Sequence, residues 1–313
     1  MILRNIIFVL LPAVALISCT AVNSTYNSLS SSMSAYFSSP RIVKDKITEP
    51  CDPDVMLSAL WIGHATLLLQ IGDKIILTDP VLTETVGYFS RRLVEPGIDI
   101  ASIPHLDAVL ISHMHIDHYS PASLDMIEKK VGNLIVPQGG VVYMPNFDFP
   151  IYELPANNVW EMDSLKITAV PVLHNGWRYG IDDDWMKTSY TGYVIEYKGI
   201  TVYFGGDTGY DEHTFRETAT HFNKIDLTIL PIAPIHPREY SRHRHTDPAD
   251  ALKIYKELGS TWLIPMHYDT FSESYDKPGE AVTLMKEEMK KMDLTSDEVI
   301  ILEIGEQVKL ITH

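Results

Sequence analysis

The chain has 313 residues, of which 25 are basic and 41 are acidic, so its formal charge at pH 7 is −16. Binding of nucleic acid requires a basic surface that displaces counterions from phosphates, and this charge therefore argues against a nucleic-acid partner. The hydrophobic content of 45% is ordinary for a globular protein, and the length suffices for one large α/β domain or two fused half-domains.

Residues 1–18 have the features of a bacterial lipoprotein signal peptide. One cation precedes an apolar run at residues 6–17, which is too short for a comfortable membrane span. Leu16 stands three residues before Cys19, a spacing that predicts cleavage before Cys19 and lipid on that cysteine. We therefore expect an exported lipoprotein anchored to a membrane through Cys19, and Thr20 favours the outer membrane. An ordinary secretory signal is the alternative.

Residues 19–54 form the predicted tether between the lipid and the globular domain at residues 55–313. Polar residues, above all serine, dominate much of this tether, a composition typical of a chain that is flexible at least in part. Tyr26, Tyr36 and Phe37 are worth burying, however, so an N-terminal segment packed on the domain stays open.

The chain has only two cysteines. If Cys19 carries lipid, Cys51 has no partner for a disulfide. We therefore expect the exported domain to be held together by its hydrophobic core.

From residue 56 onward, short apolar or alternating runs are separated by turn residues. The predicted strands are residues 57–62, 66–71, 74–78, 108–112, 134–137, 166–172, 192–197, 200–204, 227–230, 261–264, 299–303 and 307–311. The predicted helices are residues 121–130, 212–221, 248–258 and 278–292. Lys198-Gly199 between two strands is typical of a hairpin turn, while Pro121 and Gly132 mark the start and stop of the first helix. The alternation indicates a mixed α/β fold.

The most informative segment is His113-Met114-His115-Ile116-Asp117-His118, which follows the apolar run at residues 108–111. Three imidazoles and a carboxylate at the end of a predicted strand can point at one place across a turn. Neutral imidazole and carboxylate suit zinc and related first-row ions, and an open coordination position makes such an ion catalytic. A merely polar loop, or side chains that cap helix ends, is the alternative.

Three more candidate ligands follow farther along the chain. His174, Asp207 and His267 each come after an apolar or β-rich run. If these runs are strands whose ends share one edge, the three side chains converge with the histidine-rich loop.

These residues and their surroundings resemble the metallo-β-lactamase superfamily. Four motifs are similar to the branch that contains N-acylphosphatidylethanolamine-hydrolysing phospholipase D and ascorbate-phosphate lactonase. The motifs are Trp61-Ile62-Gly63-His64-Ala65-Thr66, Leu77-Thr78-Asp79-Pro80, Asp207-Thr208-Gly209-Tyr210 and His245-Thr246-Asp247-Pro248. The resemblance covers about residues 55–312, and it implies an α/β fold in the form of a four-layer αββα sandwich.

The resemblance also implies a centre of two Zn²⁺ or similar divalent ions. One ion is expected on His113, His115 and His174, and the other on Asp117, His118 and His267, with Asp207 bridging both. Two cations about 3.5–4 Å apart can activate a bound water and hold both oxygens of an in-line displacement. Such an ion lowers the pKa of its water, which supplies a hydroxide nucleophile near neutral pH. Asp117 is also a catalytic candidate because it can orient that nucleophile.

Two histidines lie outside this ligand set. His64 is either an outer contact of the metal centre or a structural histidine. His245 precedes Asp247 and Pro248, a pattern typical of a helix start. It is therefore the second catalytic candidate, either stabilising a phosphate oxyanion or protonating a leaving group.

Aromatic residues after the third ligand suggest how a substrate is held. Trp177 and Trp185, together with Tyr143, Tyr240 and Phe271, either line a groove for an acyl chain or pack in the core. Trp185 follows three aspartates in a loop that we expect beside the metals.

The sequence thus predicts a zinc-dependent phosphodiesterase of phospholipase D type that acts on N-acylphosphatidylethanolamine or a related phospholipid. The first alternative is a lactonase or another hydrolase of a small phosphorylated or acylated metabolite. A non-catalytic zinc-binding lipoprotein is a third reading. The expected partners are the substrate and the membrane, and a homodimer stays open.

Overall fold

The computed structural model describes residues 39–87, 90–179, 188–272 and 275–313. The predicted signal peptide, the lipidated Cys19, the early part of the tether and Trp185 lie outside these residues and stay predictions. Within the described residues, no helix combines the length and the apolar character that crossing a bilayer requires.

Fifteen strands are assigned, and most belong to two large sheets. In chain order they are β1 (Val55–Gly63), β2 (Thr66–Ile71), β3 (Lys74–Thr78), β4 (Thr85–Val86), β5 (Ser90–Arg91), β6 (Ala108–Leu110), β7 (Leu134–Pro137), β8 (Ile151–Leu154), β9 (Val159–Met162), β10 (Leu165–Val170), β11 (Gly192–Tyr197), β12 (Ile200–Phe204), β13 (Leu227–Pro231), β14 (Trp262–Met266) and β15 (Gln307–Thr312). The first sheet has seven strands in the order β15-β1-β2-β3-β6-β7-β8. The second has six strands in the order β14-β13-β12-β11-β10-β9, while β4 and β5 pair separately.

Strand direction places many loops at a common edge of each sheet. In the first sheet, β1, β2 and β3 are antiparallel neighbours, and β3, β6 and β7 are parallel. In the second sheet, β10, β11 and β12 are antiparallel neighbours, and β12, β13 and β14 are parallel. Because β8 is also parallel to β7, the strands β1, β3, β6, β7 and β8 share one direction, as do β10, β12, β13 and β14. The carboxyl ends of five strands in the first sheet and of four in the second therefore lie together, where α/β folds usually bind ligands.

Among the described residues, five α-helices accompany the sheets. They are α1 (Pro121–Ile127), α2 (Thr214–His221), α3 (Arg238–Ser241), α4 (Pro248–Leu258) and α5 (Glu280–Lys291). Ser120 and Asp247 cap α1 and α4 by accepting a hydrogen bond from a backbone N–H, and each helix has proline at its first turn. The αL conformation of Gly259, with φ of 64°, ends α4.

Side chains on alternate faces of β1 show how the layers are stacked. Leu57, Ala59 and Trp61 pack in the cluster that also contains the second sheet and the side chains of α4. Leu60 and Ile62 face the opposite way and pack with residues of α1. Because the first sheet is apolar on both faces, it lies between the second sheet and a helix layer. The order is helix, sheet, sheet, helix, which confirms the predicted α/β sandwich.

One predicted strand is wrong. Residues 299–303 form only an isolated bridge, in which Val299 lies beside Leu263. The carbonyl of Leu302 accepts a hydrogen bond from the Tyr268 hydroxyl at 2.8 Å instead of entering a ladder. The apolar run is therefore explained by packing of an irregular segment on the core. In contrast, β8 and β9 are strands that the sequence did not predict.

Helix ends also differ from the prediction. The second predicted helix begins at Thr214 rather than at residue 212, because the Asp211 carboxylate accepts hydrogen bonds from the backbone N–H groups of His213 and Thr214 at 2.7 and 2.8 Å. The first helix is α-helical only to Ile127 and continues as a 3₁₀ turn.

The later part of the predicted tether packs on the domain. The backbone N–H of Arg41 donates to the carbonyl of Leu93 at 2.8 Å, and the N–H of Glu95 donates to the carbonyl of Arg41 at 3.0 Å. Lys46 pairs with Glu95 and Asp99. From residue 41 the chain is therefore held against the globular part.

Candidate metal centre

Every predicted ligand lies past the carboxyl end of a strand. Residues 113–118 follow β6 in the first sheet, whereas His174, Asp207 and His267 follow β10, β12 and β14 in the second. These strands share a direction within each sheet, and the two edges face each other. The structure thus brings all seven predicted ligand side chains together.

Three of these residues form what we call the histidine group: His113, His115 and His174. Nε2 of His113 lies 2.9 Å from Nδ1 of His115, and Nε2 of His174 lies 3.2 Å from the same Nδ1. The three ring nitrogens face one another, as the ligands of a single ion do.

Asp117, His118 and His267 form the mixed group. Nε2 of His118 lies 3.1 Å from Nε2 of His267. Oδ2 of Asp117 lies 3.5 Å from the first of these nitrogens and 3.6 Å from the second. A carboxylate and two imidazoles thus surround a second point.

Asp207 lies between the two groups. Its carboxylate is 3.3 Å from Nε2 of His118, 3.3 Å from Nε2 of His267 and 3.9 Å from Nε2 of His174. Both oxygens are buried, and neither makes a hydrogen bond within the described parts of the chain. A buried carboxylate without hydrogen bonds is costly unless a cation balances it. The site therefore fits a cation at Asp207, as the bridging role predicts.

Burial keeps the histidine group neutral. Loss of solvent, with help from neighbouring imidazoles, lowers the pKa of His113 and His174 well below the usual value and also lowers the pKa of His115. Neutral imidazole is the form that binds metals.

The mixed group attracts positive charge more strongly. Burial opposes protonation of His118 and His267, but the carboxylates of Asp207 and Asp117 outweigh it, raising the pKa of His118 and raising that of His267 to about 10. The same imidazoles hold the pKa of both carboxyl groups well below the ordinary range despite burial. Both carboxylates therefore stay ionised.

A buried carboxylate that the sequence analysis left without a role supports two ligands. Oδ2 of Asp79 lies 2.7 Å from Nδ1 of His118, on the side of the ring away from the ligand cluster. It also accepts a hydrogen bond from the Ser112 hydroxyl at 2.6 Å, and that hydroxyl lies 2.9 Å from Nδ1 of His113. Such contacts fix ring orientation and tautomer. The motif Leu77-Thr78-Asp79-Pro80 carried the signal for Asp79.

The other two members of the histidine group have neutral oxygen partners. Nδ1 of His174 donates to the carbonyl of Arg244 at 2.8 Å. Nε2 of His115 lies 3.0 Å from Oδ1 of Asn175. The sequence analysis did not identify either partner.

Two glycines let the Asp207 loop fit between its neighbours. Gly206 has φ of +55°, and a Cβ atom there would lie 2.3 Å from Cβ of Ser112. A Cβ atom on Gly209 would lie 2.5 Å from the carbonyl carbon of His243. Residues larger than glycine at these two positions would therefore displace the Asp207 loop.

His64 contacts the mixed group. Its Nε2 lies 3.0 Å from Oδ2 of Asp117, and its ring centroid lies 3.7 Å from that of His267. Burial, followed by the charge of His267, lowers the pKa of His64 to about 3, so the ring is neutral. Of the two roles that the sequence left open, the structure places His64 as an outer contact of the candidate centre.

The backbone is strained at this edge. His64, Asp79 and His267 have φ of +55°, +32° and +69°, in a region that disfavours residues with a side chain. Such strain persists where surrounding structure over-determines a conformation, and it concentrates at functional sites.

His245 also reaches the centre. Its Nδ1 lies 3.3 Å from Oδ2 of Asp207 and is buried, without a hydrogen-bond partner in the ranges described above. Burial lowers the pKa of His245 to about 4. The neutral ring can bind a cation or donate a hydrogen bond, but a cationic proton donor at neutral pH is disfavoured. The predicted acid role therefore stays a prediction.

The rim of the site is partly apolar. Ile116 lies in the metal loop, and Val141 and Val142 follow β7; all three are exposed, Val142 by 54%. Tyr179 is 69% exposed, and its ring lies 6.0 Å from that of Tyr143. These aliphatic and aromatic side chains form what we call the apolar rim.

The other predicted groove residues behave differently from one another. Phe271 is buried with Val81 and Val86 and is therefore a packing residue. Tyr240 is 76% exposed on α3, and Trp177 is half-buried.

A cationic segment stands beside the centre. Arg242 and Arg244 are exposed, and neither forms an ion pair with any acidic residue that the structure describes. The carbonyl of Arg244 holds His174, so these cations flank the ligands in an otherwise acidic chain.

A model of the β-lactamase superfamily domain matches residues 74–268. A metal-dependent hydrolase of Thermococcus onnurineus is 30% identical over 259 residues, which are 82% of this chain and 100% of that protein. An N-acyl-phosphatidylethanolamine-hydrolyzing phospholipase D of Caenorhabditis elegans is 26% identical over 277 residues, or 80% of this chain and 75% of that protein.

An uncharacterized protein of Mycobacterium tuberculosis is 31% identical over 244 residues. The match includes 72% of this chain but only 62% of that protein, so the chain spans less than two thirds of this relative. A solved structure of a metallo hydrolase from Ignicoccus hospitalis has a TM-score of 0.59 at 22% identity, covering 80% of this chain and 97% of that one. This similarity shows a shared fold.

Proposed function

The chain belongs to the metallo-β-lactamase superfamily, and on this premise we propose that it is a metal-dependent hydrolase, namely a zinc-dependent phosphodiesterase of phospholipase D type. The proposed substrate is N-acylphosphatidylethanolamine or a related phospholipid. In the reaction, water adds to phosphorus, the bond from phosphorus to the ethanolamine oxygen breaks, and that oxygen takes up a proton.

One observation carries the proposal: the buried Asp207 carboxylate, which has no hydrogen-bond partner among the described residues, lies within 3.9 Å of nitrogens from both ligand groups. This arrangement suits a bridge between two cations. When bound, two such ions supply an activated water and positive charge at the phosphate oxygens. A purely structural ion needs only one closed set of ligands.

Two residues beside the proposed ions have separate roles in the reaction. Asp117 is ionised and fixed by His64, so it can accept a hydrogen bond from the attacking water and orient it. Nδ1 of His245 is buried 3.3 Å from Asp207 and has no hydrogen-bond partner in the part of the chain that the structure describes, which supports a role in donating a hydrogen bond to a phosphate oxygen or to the leaving oxygen.

The apolar rim supports a lipid substrate. Exposed aliphatic side chains and an aromatic ring beside a polar centre suit acyl chains that adjoin a phosphate. The name of the C. elegans relative gives such a lipid as the substrate of that protein. Membrane anchoring through Cys19 would bring the rim to its substrate despite the acidic charge.

The exposed Arg242 and Arg244 favour a second candidate function. Exposed arginines bind phosphate groups well. A small metabolite with a phosphate monoester would place that group on the arginines and present a lactone or ester bond to the centre. This corresponds to the lactonase alternative.

The test is a substrate panel with purified, zinc-loaded protein. We expect release of phosphatidate and N-acylethanolamine from vesicles that contain N-acylphosphatidylethanolamine. Val142→Ser should raise KM for vesicles, while Ile42→Ser, at an even more exposed position on the segment that pairs with residues 93–95, should not. Rapid opening of phosphorylated lactones with no attack on phosphodiesters would overturn the proposal in favour of the second candidate.

Localisation is tested separately. Cys19→Ala should release the protein from membranes or leave its precursor uncleaved, because the proposed acyl chains are attached to Cys19. Stable anchoring needs more than one such chain. Unchanged processing and membrane association would contradict the lipoprotein proposal without touching the enzymatic one.

A further inference from the structure

His64 is fixed by its backbone between two parts of the mixed group. Its N–H donates to the Thr270 hydroxyl at 2.7 Å, and its carbonyl accepts from Nε1 of Trp61 at 2.9 Å and from the N–H of His267 at 3.1 Å. A shift of His64 would therefore move the backbone of a ligand.

The side chain of His64 faces all three members of the mixed group. Its Nε2 lies 3.0 Å from Oδ2 of Asp117, and its ring centroid lies 3.7 Å from that of His267 and 5.2 Å from that of His118. The Asp117 carboxylate is an acceptor, so Nε2 of His64 is the donor of this hydrogen bond.

The residue type at this position is informative. Left-handed backbone at φ of +55° favours glycine, so a histidine at this position is strained. Only 3% of His64 is exposed, so the presence of this polar side chain is not explained by contact with solvent. The side chain therefore supplies something that glycine cannot.

We propose that His64 is a positioning residue that aims the Asp117 carboxylate and thereby controls how tightly the mixed group binds its ion, while the histidine group binds its ion without it. This inference rests on the proposed two-metal hydrolase. Loss of an outer partner of a metal ligand typically weakens metal binding about 10- to 100-fold.

The chain offers a matched control for this idea. The side chain of His64 contacts Asp117, a ligand of the mixed group, at 3.0 Å. In the same way, the side chain of Asn175 contacts His115, a ligand of the histidine group, at 3.0 Å. Asn175→Ala should therefore weaken the ion of the histidine group and spare the other.

Two substitutions separate the roles of the His64 ring. His64→Phe keeps a ring that can stack on His267 but removes the donor, whereas His64→Gln keeps an N–H donor and removes the aromatic ring. The full chain, stripped of metal, is titrated with Zn²⁺ by calorimetry and with Co²⁺ by visible absorption. We expect His64→Phe to bind one equivalent normally and the second about 10- to 100-fold more weakly. His64→Gln should restore most of that affinity.

Combining these substitutions with His118→Ala identifies which of the two ions is affected. His118→Ala removes a ligand of the mixed group, so the remaining ion should belong to the histidine group. In that background His64→Phe should have no further effect, whereas Asn175→Ala should weaken the remaining ion.

Three results would overturn the inference. They are wild-type affinity for both ions in His64→Phe, equal weakening in His64→Phe and His64→Gln, or a further loss when His64→Phe is added to His118→Ala. A wild-type protein that binds two ions but hydrolyses no phosphodiester would refute the proposed substrate and leave the role of His64 intact. A wild-type protein that binds no divalent ion would overturn both.

Discussion

The histidine group and the mixed group lie side by side, but the contacts behind them differ. Neutral oxygens of Ser112, Asn175 and the Arg244 backbone support the histidine group. The carboxylate of Asp79 and the ring of His64 support the mixed group. The histidine group is therefore a neutral set of ligands with neutral supports, whereas the mixed group contains a carboxylate ligand and has a second carboxylate, that of Asp79, among its supports.

This difference has a consequence for metal binding. A cation in the mixed group gains direct attraction from Asp117 and Asp207, while a cation in the histidine group has only Asp207 as an anionic ligand. We expect metal binding by the mixed group to depend more strongly on its outer contacts, because a charged ligand that turns away from the cation loses more binding energy than a neutral one.

The largest effect is expected where both groups depend on one residue. Asp207→Asn keeps the shape but removes the charge, so both ions should bind weakly and turnover should fall by on the order of 10⁴-fold or more. Elemental analysis after dialysis measures the metal content. A variant with two ions and full activity would contradict the bridging role.

Single-ligand variants should separate the groups. His118→Ala should remove the ion of the mixed group, and His174→Ala that of the histidine group, each leaving about one ion per chain. Because hydrolysis is proposed to need both ions, turnover should fall in each variant. If either substitution empties both sites, the two groups are not independent.

Substitution of His245 tests whether a residue can contribute to catalysis without contributing to metal binding by either group. His245→Ala should lower kcat for the natural diester by about 10²-fold with metal content unchanged, the lower end for general acid catalysis because burial keeps the ring neutral. The loss should shrink for a diester with a nitrophenolate leaving group, which needs no proton. Loss of metal instead would make His245 a ligand.

The smallest effect is expected from an outer contact. Asp79→Asn removes the charge behind His118 and should weaken the ion of the mixed group about 10- to 100-fold. Ser112→Ala, which removes a neutral partner of His113, should weaken the other ion less. Equal effects of the two substitutions on the two ions would remove the distinction between charged and dipolar support.

Strong local patterns predicted most of the fold. Continuous apolar runs such as residues 66–71 and 227–230 appear as buried strands. The edge strands β8 and β9 were missed because each has only four residues and its apolar character is interrupted by a glutamate, Glu153 or Glu161. The strand predicted at residues 299–303 was wrong for the opposite reason, since an apolar run can pack on a core without pairing with another strand.

For the candidate site, motifs identified the residues that converge but not the contacts behind them. Asp79 lies 39 residues from His118 in sequence, and Asn175 lies 60 residues from His115. Such pairs arise only when separate strands assemble, and the Arg244 carbonyl has no side-chain signature at all. Local sequence therefore predicts ligands better than their supports.

The ligands come from loops of two different sheets, with residues 113–118 on one and His174, Asp207 and His267 on the other. Bound ions would therefore join the two halves of the sandwich as a cross-link that the unfolded chain cannot form. A ligand that binds only the folded state adds about 2.7 kcal/mol to the free energy of unfolding at a concentration 100 times its Kd. The melting temperature should consequently rise and fall with free metal, so that the lifetime of the protein follows the metal supply of its compartment.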